Sequence, residues 1–472
     1  MASQKQEKDK KELALLRKAV EEAEQNTGRK QIESKEIGNI INIVETFLRV
    51  KRLVCYGGTA INNILPNRDK FYDPETEIPD FDFYSPNALL DTKALAEKFV
   101  LQGYEDVEAK SAIHKGTYKV YVNFIPVADI TSIDPLLYKA LKKESLKVNG
   151  IHYAPPNFLK MAMYLELSRP AGDVSRWEKV LKRLNVLNKN YPIVNSIECS
   201  KVKFQRKFET ETSKSSLVFT TIRDILVNQE VVFFGGYAFS LYRKYIMPKN
   251  KRPKNDVPDF DVLSDDPLTT ATVVKEKMSE GGFKNVTVTK KDGVGEIIPT
   301  HYEIRVDDET ICFIYQTNAC HSFNTIKING VDTHVATIDT ILSFYLAFIY
   351  SDKPYYDKER LLCMAKYIFE VQQRNKTRQT GLVKRFTTQC YGEQVTLRDM
   401  RYYKTEKYKL LKKNKNCNEY NELFLRYFPK LKSVQKKDKT TEKATKKATK
   451  KATKKATKKA TKSSKTRRIS KK

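Results

Sequence analysis

One sequence pattern occurs twice in this chain of 472 residues, and it constrains the fold more than any other feature. In each copy a Gly-Gly pair follows a hydrophobic run, and the residues Pro-Asp-Phe-Asp come some twenty positions later. The first copy consists of Gly57-Gly58 and residues 79–82. The second consists of Gly235-Gly236 and residues 258–261. A repeat of this kind indicates one type of domain that is present twice.

The similarity between the copies extends beyond these motifs. Asn-Gly pairs between β-forming residues, at Asn149-Gly150 and Asn329-Gly330, are typical of hairpin turns. Two apolar stretches with helical spacing follow each turn. These stretches are 157–165 and 175–188 in the first copy, and 338–346 and 357–372 in the second. The sequence therefore predicts a mixed α/β (α+β) domain in tandem.

This organisation divides the chain into five predicted segments. An amphipathic helix is expected near the start, from about Gln6 to Gln25. The segments are residues 1–34 as an N-terminal helical extension, 35–200 as the first domain, 201–380 as the second domain, 381–432 as a basic, Tyr-rich segment and 433–472 as a tail.

The first Gly-Gly pair is predicted to lie between a strand and a helix. A helix is expected over 34–50, a short buried strand over 53–56, and a second helix from Thr59. Glycine lets the backbone turn sharply and approach an anion closely, and the amides at a helix start face such an anion. We therefore assign phosphate binding to Gly57 and Gly58, with a donated hydrogen bond from the Thr59 hydroxyl.

Three aspartates in the first copy are candidate metal ligands. Asp80 and Asp82 are two residues apart in a predicted strand, so both carboxylates point to one face. Asp129 ends a β-rich run, 118–129, that contains no other acid, and a buried acid is costly unless it is paired or metal-bound. A bound divalent cation relieves the repulsion between such carboxylates. The alternative is a capping turn after Pro79, which the combination with Gly57-Gly58 and Asp129 disfavours.

The second copy serves as an internal comparison. A gapped alignment of the two copies places Gln316 opposite Asp129 and Tyr237 opposite Thr59. Because a neutral amide cannot replace the carboxylate, we assign catalysis to the first copy and scaffolding or RNA binding to the second. Asp307 and Asp308 lie close to Gln316 as alternative acids.

Charge points to a polyanionic partner. The chain has 87 Lys and Arg against 57 Asp and Glu, a formal balance of +30. Residues 436–472 contain 18 basic and two acidic residues in repeats of Lys-Lys-Ala-Thr. With almost nothing apolar to bury, this tail is expected to be disordered and to bind phosphate backbones without reading sequence. A solubilising or nuclear-targeting tail is the alternative.

Other site types find no support in the sequence. The N-terminal stretch is charged, and the longest apolar run, 341–350, is shorter than a membrane span, which predicts a soluble protein without membrane contact. Seven scattered cysteines include no Cys-x-x-Cys pair, so neither disulfides nor a zinc site is expected, in keeping with a reducing compartment. The five histidines show no metal-ligand spacing.

The motifs together resemble a known family. Gly57-Gly58, residues 79–87 (Pro-Asp-Phe-Asp-Phe-Tyr-Ser-Pro-Asn), 166–170 (Glu-Leu-Ser-Arg-Pro), Gly172-Asp173 and 176–180 (Arg-Trp-Glu-Lys-Val) are similar to segments of the poly(A) polymerase catalytic subunits of poxviruses and related large DNA viruses. The resemblance covers most of residues 35–375. It implies tandem nucleotidyltransferase folds, the first active and the second degenerate.

The resemblance also implies an activity and its requirements. Such proteins extend the 3′ end of single-stranded RNA from ATP, using Mg²⁺ or Mn²⁺ in a two-metal site. By position, Asp80, Asp82 and Asp129 become the metal ligands, and residues 57–59 become the triphosphate loop. The implied location is the host cytoplasm and the virion. Processivity would come from a separate subunit, a homodimer or the tail.

Basic residues near the second helical stretch add to the candidate site. Arg169, Arg176 and Lys179 carry charges that suit a nucleotide or phosphate ligand. Trp177 would either stack on a base or pack in the core, and its apolar neighbours Val180 and Leu184 favour the core.

Three functions remain open at this level. The favoured one is a template-independent RNA adenylyltransferase that adds poly(A) tails to mRNA. The alternatives are a noncatalytic RNA-binding protein made of two decayed nucleotidyltransferase domains, and a nucleotidyltransferase that uses UTP or CTP. Asp129 favours an enzyme, because a decayed first copy should have lost this carboxylate.

Overall fold

The computed structural model shows a mixed α/β fold with two eight-stranded sheets, as the sequence predicts. The structure describes residues 8, 11–13, 15–20, 22–23, 35–72, 79–202, 212–246 and 259–431. The described residues of the predicted N-terminal helix are helical, and the predicted tail, 433–472, lies outside the described part. Within the described residues, no helix combines the length and apolar character that a membrane span requires.

Between residues 35 and 202, the described part of the first half supplies seven strands and six α-helices. The strands are β1 (Val54–Cys55), β2 (Asp82–Ser85), β3 (Val107–Ser111), β4 (Thr117–Val122), β5 (Ile125–Ser132), β6 (Leu146–Val148) and β7 (Ile151–Tyr153). The helices are α1 (Lys35–Lys51), α2 (Gly57–Ile64), α3 (Ala88–Leu101), α4 (Pro135–Glu144), α5 (Pro156–Leu167) and α6 (Trp177–Asn190).

The second half repeats this succession, and a C-terminal part follows it. The strands are β8 (Val232–Phe233), β9 (Phe260–Ser264), β10 (Val286–Lys291), β11 (His301–Val306), β12 (Glu309–Gln316), β13 (His321–Ile328), β14 (Val331–Ala336), β15 (Cys390–Tyr391) and β16 (Arg426–Tyr427). The helices are α7 (Thr212–Asn228), α8 (Gly236–Tyr242), α9 (Pro267–Glu280), α10 (Ile338–Phe348), α11 (Lys358–Arg374), α12 (Leu397–Leu411) and α13 (Asn418–Phe424).

Seven strands of each sheet follow one order. In the first sheet the order is β3-β4-β5-β2-β1-β7-β6, and in the second it is β10-β11-β12-β9-β8-β14-β13. The directions match as well, because β2 and β5 are parallel, as are β9 and β12, while β1 and β2 are antiparallel, as are β8 and β9. The sequence repeat therefore corresponds to a repeat of sheet topology.

Tight turns with left-handed backbone set the hairpins. Asn149-Gly150 and Asn329-Gly330 have positive φ angles, as expected for the Asn-Gly turns predicted from the sequence. A third turn of this kind, at Asn123-Phe124, divides the predicted β-rich run 118–129 into β4 and β5. Its Phe lacks the usual turn signature, so the sequence pattern merged the two strands.

The C-terminal part adds one strand to each sheet. β15 pairs with β13 at one edge of the second sheet, and β16 pairs with β3 at one edge of the first. Residues 390–391 and 426–427 of the predicted C-terminal segment are therefore built into the two sheets. The domain boundaries predicted at residues 200 and 380 remain predictions.

Helix α10 lies at the centre of the molecule. All eleven of its residues are buried, and it packs against α5 of the first half and α11 of the second. Its buried carboxylate, Asp339, accepts two hydrogen bonds of 2.7 Å from the Arg385 guanidinium. This paired geometry satisfies a charge that would otherwise be costly to bury. The ion pair thus joins the C-terminal part to the contact between the halves.

Four cysteines contradict the expectation from the sequence. The structure pairs Cys199 with Cys363 and Cys320 with Cys390 as disulfides, with Cα atoms 5.5 and 5.2 Å apart. The partners are separated by 164 and 70 residues, so their proximity follows from the fold and leaves no local spacing signal. The prediction that the chain forms no disulfides is therefore wrong, and cysteine usage no longer supports a reducing compartment.

The buried Asp339–Arg385 ion pair leads to a prediction about the stability of the fold. Asp339→Ala leaves a buried guanidinium without its counter-charge, so we expect the free energy of unfolding to fall by about 3 kcal/mol or more. Urea denaturation followed by circular dichroism measures this change. Glu280→Ala is the control, because it breaks the exposed Lys277–Glu280 pair and should leave the curve unchanged. Equal unfolding midpoints for both variants would contradict the assigned role of Asp339.

Candidate active site

The first Gly-Gly pair lies at the start of α2, directly against the Asp strand. Gly57 opens the helix with a φ of +73°, and a Cβ atom at this position would lie 2.4 Å from Oδ2 of Asp82. Only glycine tolerates both the backbone conformation and this distance. The loop is therefore held close to the Asp82 carboxylate, as a site that brings phosphate and carboxylates together requires.

Gly58 makes a close approach to a different group. A Cβ atom there would lie 2.4 Å from the Tyr72 hydroxyl and 2.8 Å from Nη1 of Arg183. Arg183 donates a hydrogen bond of 2.7 Å to Tyr72, and its guanidinium lies over the Phe71 ring at 4.8 Å. These contacts fix a positive charge at the start of α2, where an anion would also meet the helix amides.

Thr59 has another role than the one predicted. Its side chain is buried, and its hydroxyl donates a hydrogen bond of 2.6 Å to the carbonyl oxygen of Asp80. The hydroxyl is thus engaged in holding the segment before β2 against α2. The structure gives no support to a hydrogen bond from Thr59 to a phosphate.

The three predicted aspartates occupy neighbouring strands. Asp82 and Asp129 are register partners in the parallel pair β2–β5, and Asp80 lies just before β2. Burial, followed by the charges of Asp80 and Asp129, raises the pKa of Asp82 to about 7. Burial and the Asp129 charge also raise the pKa of Asp80. Each shift shows a carboxylate whose charge is insufficiently compensated by the protein.

Lys119 partly compensates these charges. It lies opposite Asp129 in the β4–β5 pair, and its ammonium group makes an ion pair with the Asp129 carboxylate. In the described part of the chain, no three His, Cys, Asp or Glu side chains are grouped closely enough to hold a metal ion. The donor chemistry nevertheless fits Mg²⁺ or Mn²⁺, since carboxylate oxygens are their preferred ligands and a cation would relieve the repulsion at Asp82. To join such a site, Asp129 must exchange its contact with Lys119.

The predicted basic residues separate into different environments. Lys179 and Arg183 line a cavity of about 470 Å³ together with Phe71 and Tyr72. Arg176 makes an ion pair of 3.3 Å with Glu166, and Arg169 lies in another cavity between the two halves. The structure therefore places Lys179 in the cavity that Arg183 lines, where its charge acts on Asp80, and places Arg169 in a different cavity.

Sequence reasoning missed two cations of this site. Arg183 follows Arg176 and Lys179 at helical spacing, so the stripe 176, 179, 183 was a readable signal for one basic face. Lys119 lies in a strand among aromatic and β-branched residues, and no sequence pattern separates it from an ordinary exposed lysine. Trp177 packs against the core as predicted, and its indole nitrogen donates to the Glu166 carbonyl oxygen at 3.1 Å.

The equivalent place in the second half is built differently. The register of β9 and β12 places Phe313 opposite Asp261, so the counterpart of Asp129 is a buried phenylalanine. The alignment with Gln316 is wrong by three residues, because Gln316 pairs with Ser264, as Ser132 pairs with Ser85 in the first half. The conclusion that this position lacks a carboxylate is unchanged.

An arginine accompanies the remaining carboxylates there. Arg360 from α11 lies 3.5 Å from Oδ2 of Asp259. Burial opposes its charge, but Asp259 and Asp261 outweigh burial and raise the pKa of Arg360. A Cβ atom at Gly236 would lie 2.3 Å from Oδ1 of Asp259, so this carboxylate occupies the space in front of the glycine pair. A fixed protein cation thus stands where the first half leaves negative charge.

The shifted pKa of Asp82 predicts a pH dependence of stability without metal. The folded protein holds the Asp82 proton more tightly than the unfolded chain does, so protonation of Asp82 stabilises the folded state. This stabilisation is fully present below the unfolded-state pKa of about 4. It is lost as the pH rises to about 7. We therefore expect Asp82→Asn to stabilise the protein at pH 8 and much less at pH 4.5.

Urea denaturation in EDTA at both pH values measures this effect. Glu280→Gln, at an exposed site, is the control and should behave like the wild type at each pH. A difference between Asp82→Asn and the wild type that stays constant from pH 4.5 to 8 would show that the Asp82 carboxyl has an ordinary pKa.

Comparison with known proteins agrees with this geometry. Residues 42–173 match the family model described as "Poly(A) polymerase catalytic subunit". This range includes Gly57, Gly58 and all three candidate carboxylates, Asp80, Asp82 and Asp129. A "Putative poly(A) polymerase catalytic subunit" of Acanthamoeba polyphaga mimivirus is 24% identical over 403 residues, which cover 76% of this chain and 68% of the relative.

Two further matches extend the comparison. The African swine fever virus (strain Badajoz 1971 Vero-adapted) protein with the same description is 29% identical over 216 residues, 43% of this chain and 45% of its own length. The crystal structure of the Megavirus polyadenylate synthase has the same fold, with a TM-score of 0.74, 19% identity, and coverage of 92% of this chain and 90% of that one. The chain is therefore similar to the poly(A) polymerase catalytic subunits of large DNA viruses, as its motifs predict, and these matches support the prediction of a poly(A) polymerase enzyme.

Proposed function

We propose that this chain is a template-independent RNA adenylyltransferase that adds poly(A) tails to mRNA 3′ ends from ATP. The observation that carries the proposal is the contact between the glycine pair and the Asp strand, where Gly57 leaves room for Asp82 and Asp82 pairs in register with Asp129. The first half is the active nucleotidyltransferase unit and the second is a degenerate one.

The carboxylates have the central role in this reaction. Two ions of Mg²⁺ or Mn²⁺ held by Asp80, Asp82 and Asp129 would lower the pKa of the RNA 3′ hydroxyl and hold the ATP phosphates. Lys119 keeps Asp129 oriented on β5 before the ions bind. A carboxylate must be ionised to hold a metal ion, and the pKa of Asp82 is raised to about 7, so deprotonation of Asp82 is required for activity.

Cations near the glycine pair serve the triphosphate. Gly58 allows Arg183 to approach the start of α2, and Lys179 lines the same cavity. Their charges and the helix amides would bind the β- and γ-phosphates, orient the α-phosphate towards the RNA hydroxyl and stabilise the pyrophosphate that leaves. Arg176, paired with Glu166, holds a second positive charge near this region.

The second half would act as a scaffold or an RNA-binding surface. Arg360 pairs with Asp259 there, and Phe313 replaces the third acid, so the described residues offer a divalent ion a poorer set of ligands than the first half does. The basic tail would bind the RNA backbone. The relatives' description as catalytic subunits favours a separate processivity subunit over a homodimer, and their viral sources favour the host cytoplasm and the virion.

Primer extension tests the proposed activity against its alternatives. We expect purified protein with an unstructured RNA primer and Mg²⁺ or Mn²⁺ to add many nucleotides from ATP and few from the other nucleoside triphosphates. Extension is followed on a sequencing gel, with each nucleotide in a separate reaction. Preferential use of UTP or CTP would make the chain a different nucleotidyltransferase, and tight RNA binding without any extension would make it a noncatalytic RNA-binding protein.

A matched pair of variants tests which half is active. Asp82→Ala removes a metal ligand next to the triphosphate loop, and we expect it to reduce extension by about a thousandfold or more. Asp261→Ala changes the equivalent residue of the second half and should leave single-nucleotide addition within about threefold of the wild type. Both proteins are first compared with the wild type by circular dichroism. Similar losses in the two variants would contradict a single active half.

A further inference from the structure

A cavity of about 410 Å³ lies between the two halves of the chain. Residues of β2 and α5 form one wall, and residues 295–299 and Asn318 of the second half form the other. Its size lies within the range of small-molecule sites, and this type of position between units is a common place for a ligand. It is distinct from the cavity that Lys179 and Arg183 line beside the glycine pair.

The cavity is next to the candidate catalytic carboxylates. Tyr84, in its wall, is two residues after Asp82 in β2, so both side chains lie on the same face of the sheet. The two positions are separated by roughly 7 Å along the strand. The distance from a ligand in the cavity to the carboxylates is therefore no greater than the length of a nucleotide.

The wall from the first half is mostly flat and apolar. Tyr84 is held rigidly, because its ring stacks on Tyr56 at a centroid distance of 3.9 Å. Phe158 meets Tyr84 edge to face, and Met161 and Leu165 complete this side. Aromatic rings and thioethers are suited to the face of a planar heterocycle.

Arg169 supplies a polar group without a protein partner. Its Nε atom is buried and has no hydrogen-bond partner among the described residues. Burial, against the charges of Glu296 and Glu166, lowers the pKa of Arg169 to about 10, which shows how much water has been removed from the guanidinium. The guanidinium also lines the cavity, so a ligand that brings an acceptor there would stabilise this incompletely paired group.

The opposite wall is fixed and carries negative charge. Asn318 donates a hydrogen bond of 3.0 Å to the Glu296 carbonyl oxygen, and its side-chain oxygen forms a hydrogen bond of 2.9 Å with Nε2 of His321. Glu296 itself lines the cavity, so a phosphate would meet an apolar surface and a carboxylate there. A planar ring with both an acceptor for Arg169 and an amino donor for a carboxylate is the better fit.

We propose that this cavity binds a nucleobase, with the ring against Tyr84 and Phe158 and a ring nitrogen or carbonyl oxygen accepting a hydrogen bond from the guanidinium of Arg169. The proposal rests on the proposed nucleotidyl transfer, and it assigns base recognition to residues of both halves. The base belongs either to the incoming nucleoside triphosphate or to the 3′ end of the RNA. Arg169 is thus a base-recognition residue, whereas a phosphate contact was expected from the sequence.

Calorimetric binding of ATP and of inorganic tripolyphosphate separates the base from the phosphates. If the cavity takes the base of ATP, Arg169→Met weakens ATP binding roughly tenfold or more and leaves tripolyphosphate binding unchanged. If it takes the RNA base, the variant weakens binding of an RNA primer but not of the same primer with an abasic 3′ end, and ATP binding is preserved. Lys179→Met is the matched control and should weaken ATP and tripolyphosphate alike.

A second variant distinguishes a loss of ligand binding in the cavity from a folding defect of Arg169→Met. Ala162 lines the cavity but is exposed on α5, so Ala162→Phe fills the space without disturbing the core. We expect the same selective loss as for Arg169→Met. Equal weakening of ATP and tripolyphosphate by Arg169→Met, or unchanged binding of every ligand by both variants, would overturn the proposal. Base-dependent ATP binding by a wild-type protein that extends no primer would instead refute the proposed function and leave the cavity assignment standing.

Discussion

Repulsion between buried carboxylates is the constraint on which the arrangement of both halves depends. Two aspartates on one face of a central strand cannot both be ionised in a partly dry environment without a nearby cation. In the second half Arg360 supplies that cation from α11, and Phe313 removes the third acid. In the first half Lys119 makes its ion pair with Asp129, and Asp82 keeps a raised pKa although the Lys119 charge opposes the shift. The same sheet topology thus gives one electrostatically closed site and one that still requires an external cation.

The fold and the centre of the site could be predicted from sequence because their signals are local. The helices, the Asn-Gly turns and the i, i+2 spacing of Asp80 and Asp82 depend on residues that are neighbours in the chain. The residue opposite Asp261 could not be found this way, because strand register is set by pairing across the sheet. The gapped alignment chose Gln316 as the counterpart of Asp129, whereas the structure has Phe313 at that position. The hydroxyl of Thr59 was misassigned for a similar reason, because its acceptor is the backbone of Asp80.

Contacts between distant segments account for the remaining differences. The disulfide partners, the Arg183–Tyr72 hydrogen bond and the position of Arg169 all join residues that only the tertiary structure brings together. The basic stripe on α6 indicated a charged face, but not which anion-binding loop that face would meet. Likewise, the charge of Arg169 suits a phosphate, whereas the cavity that it lines combines aromatic and apolar side chains with Glu296. The chemical role of a cation therefore depends on its neighbours more than on its own type.

The strands contributed by the C-terminal part affect more than the shape of the sheets. An outermost strand presents a row of unpaired N–H and C=O groups, which is a template for pairing with another molecule. β15 covers such a row on β13, and β16 covers one on β3. A polypeptide emerging from the ribosome exposes both rows until these late residues have been synthesised. Nascent or truncated forms of the chain would thus expose additional backbone positions for self-association through β-strand pairing, which the folded C-terminal strands cover.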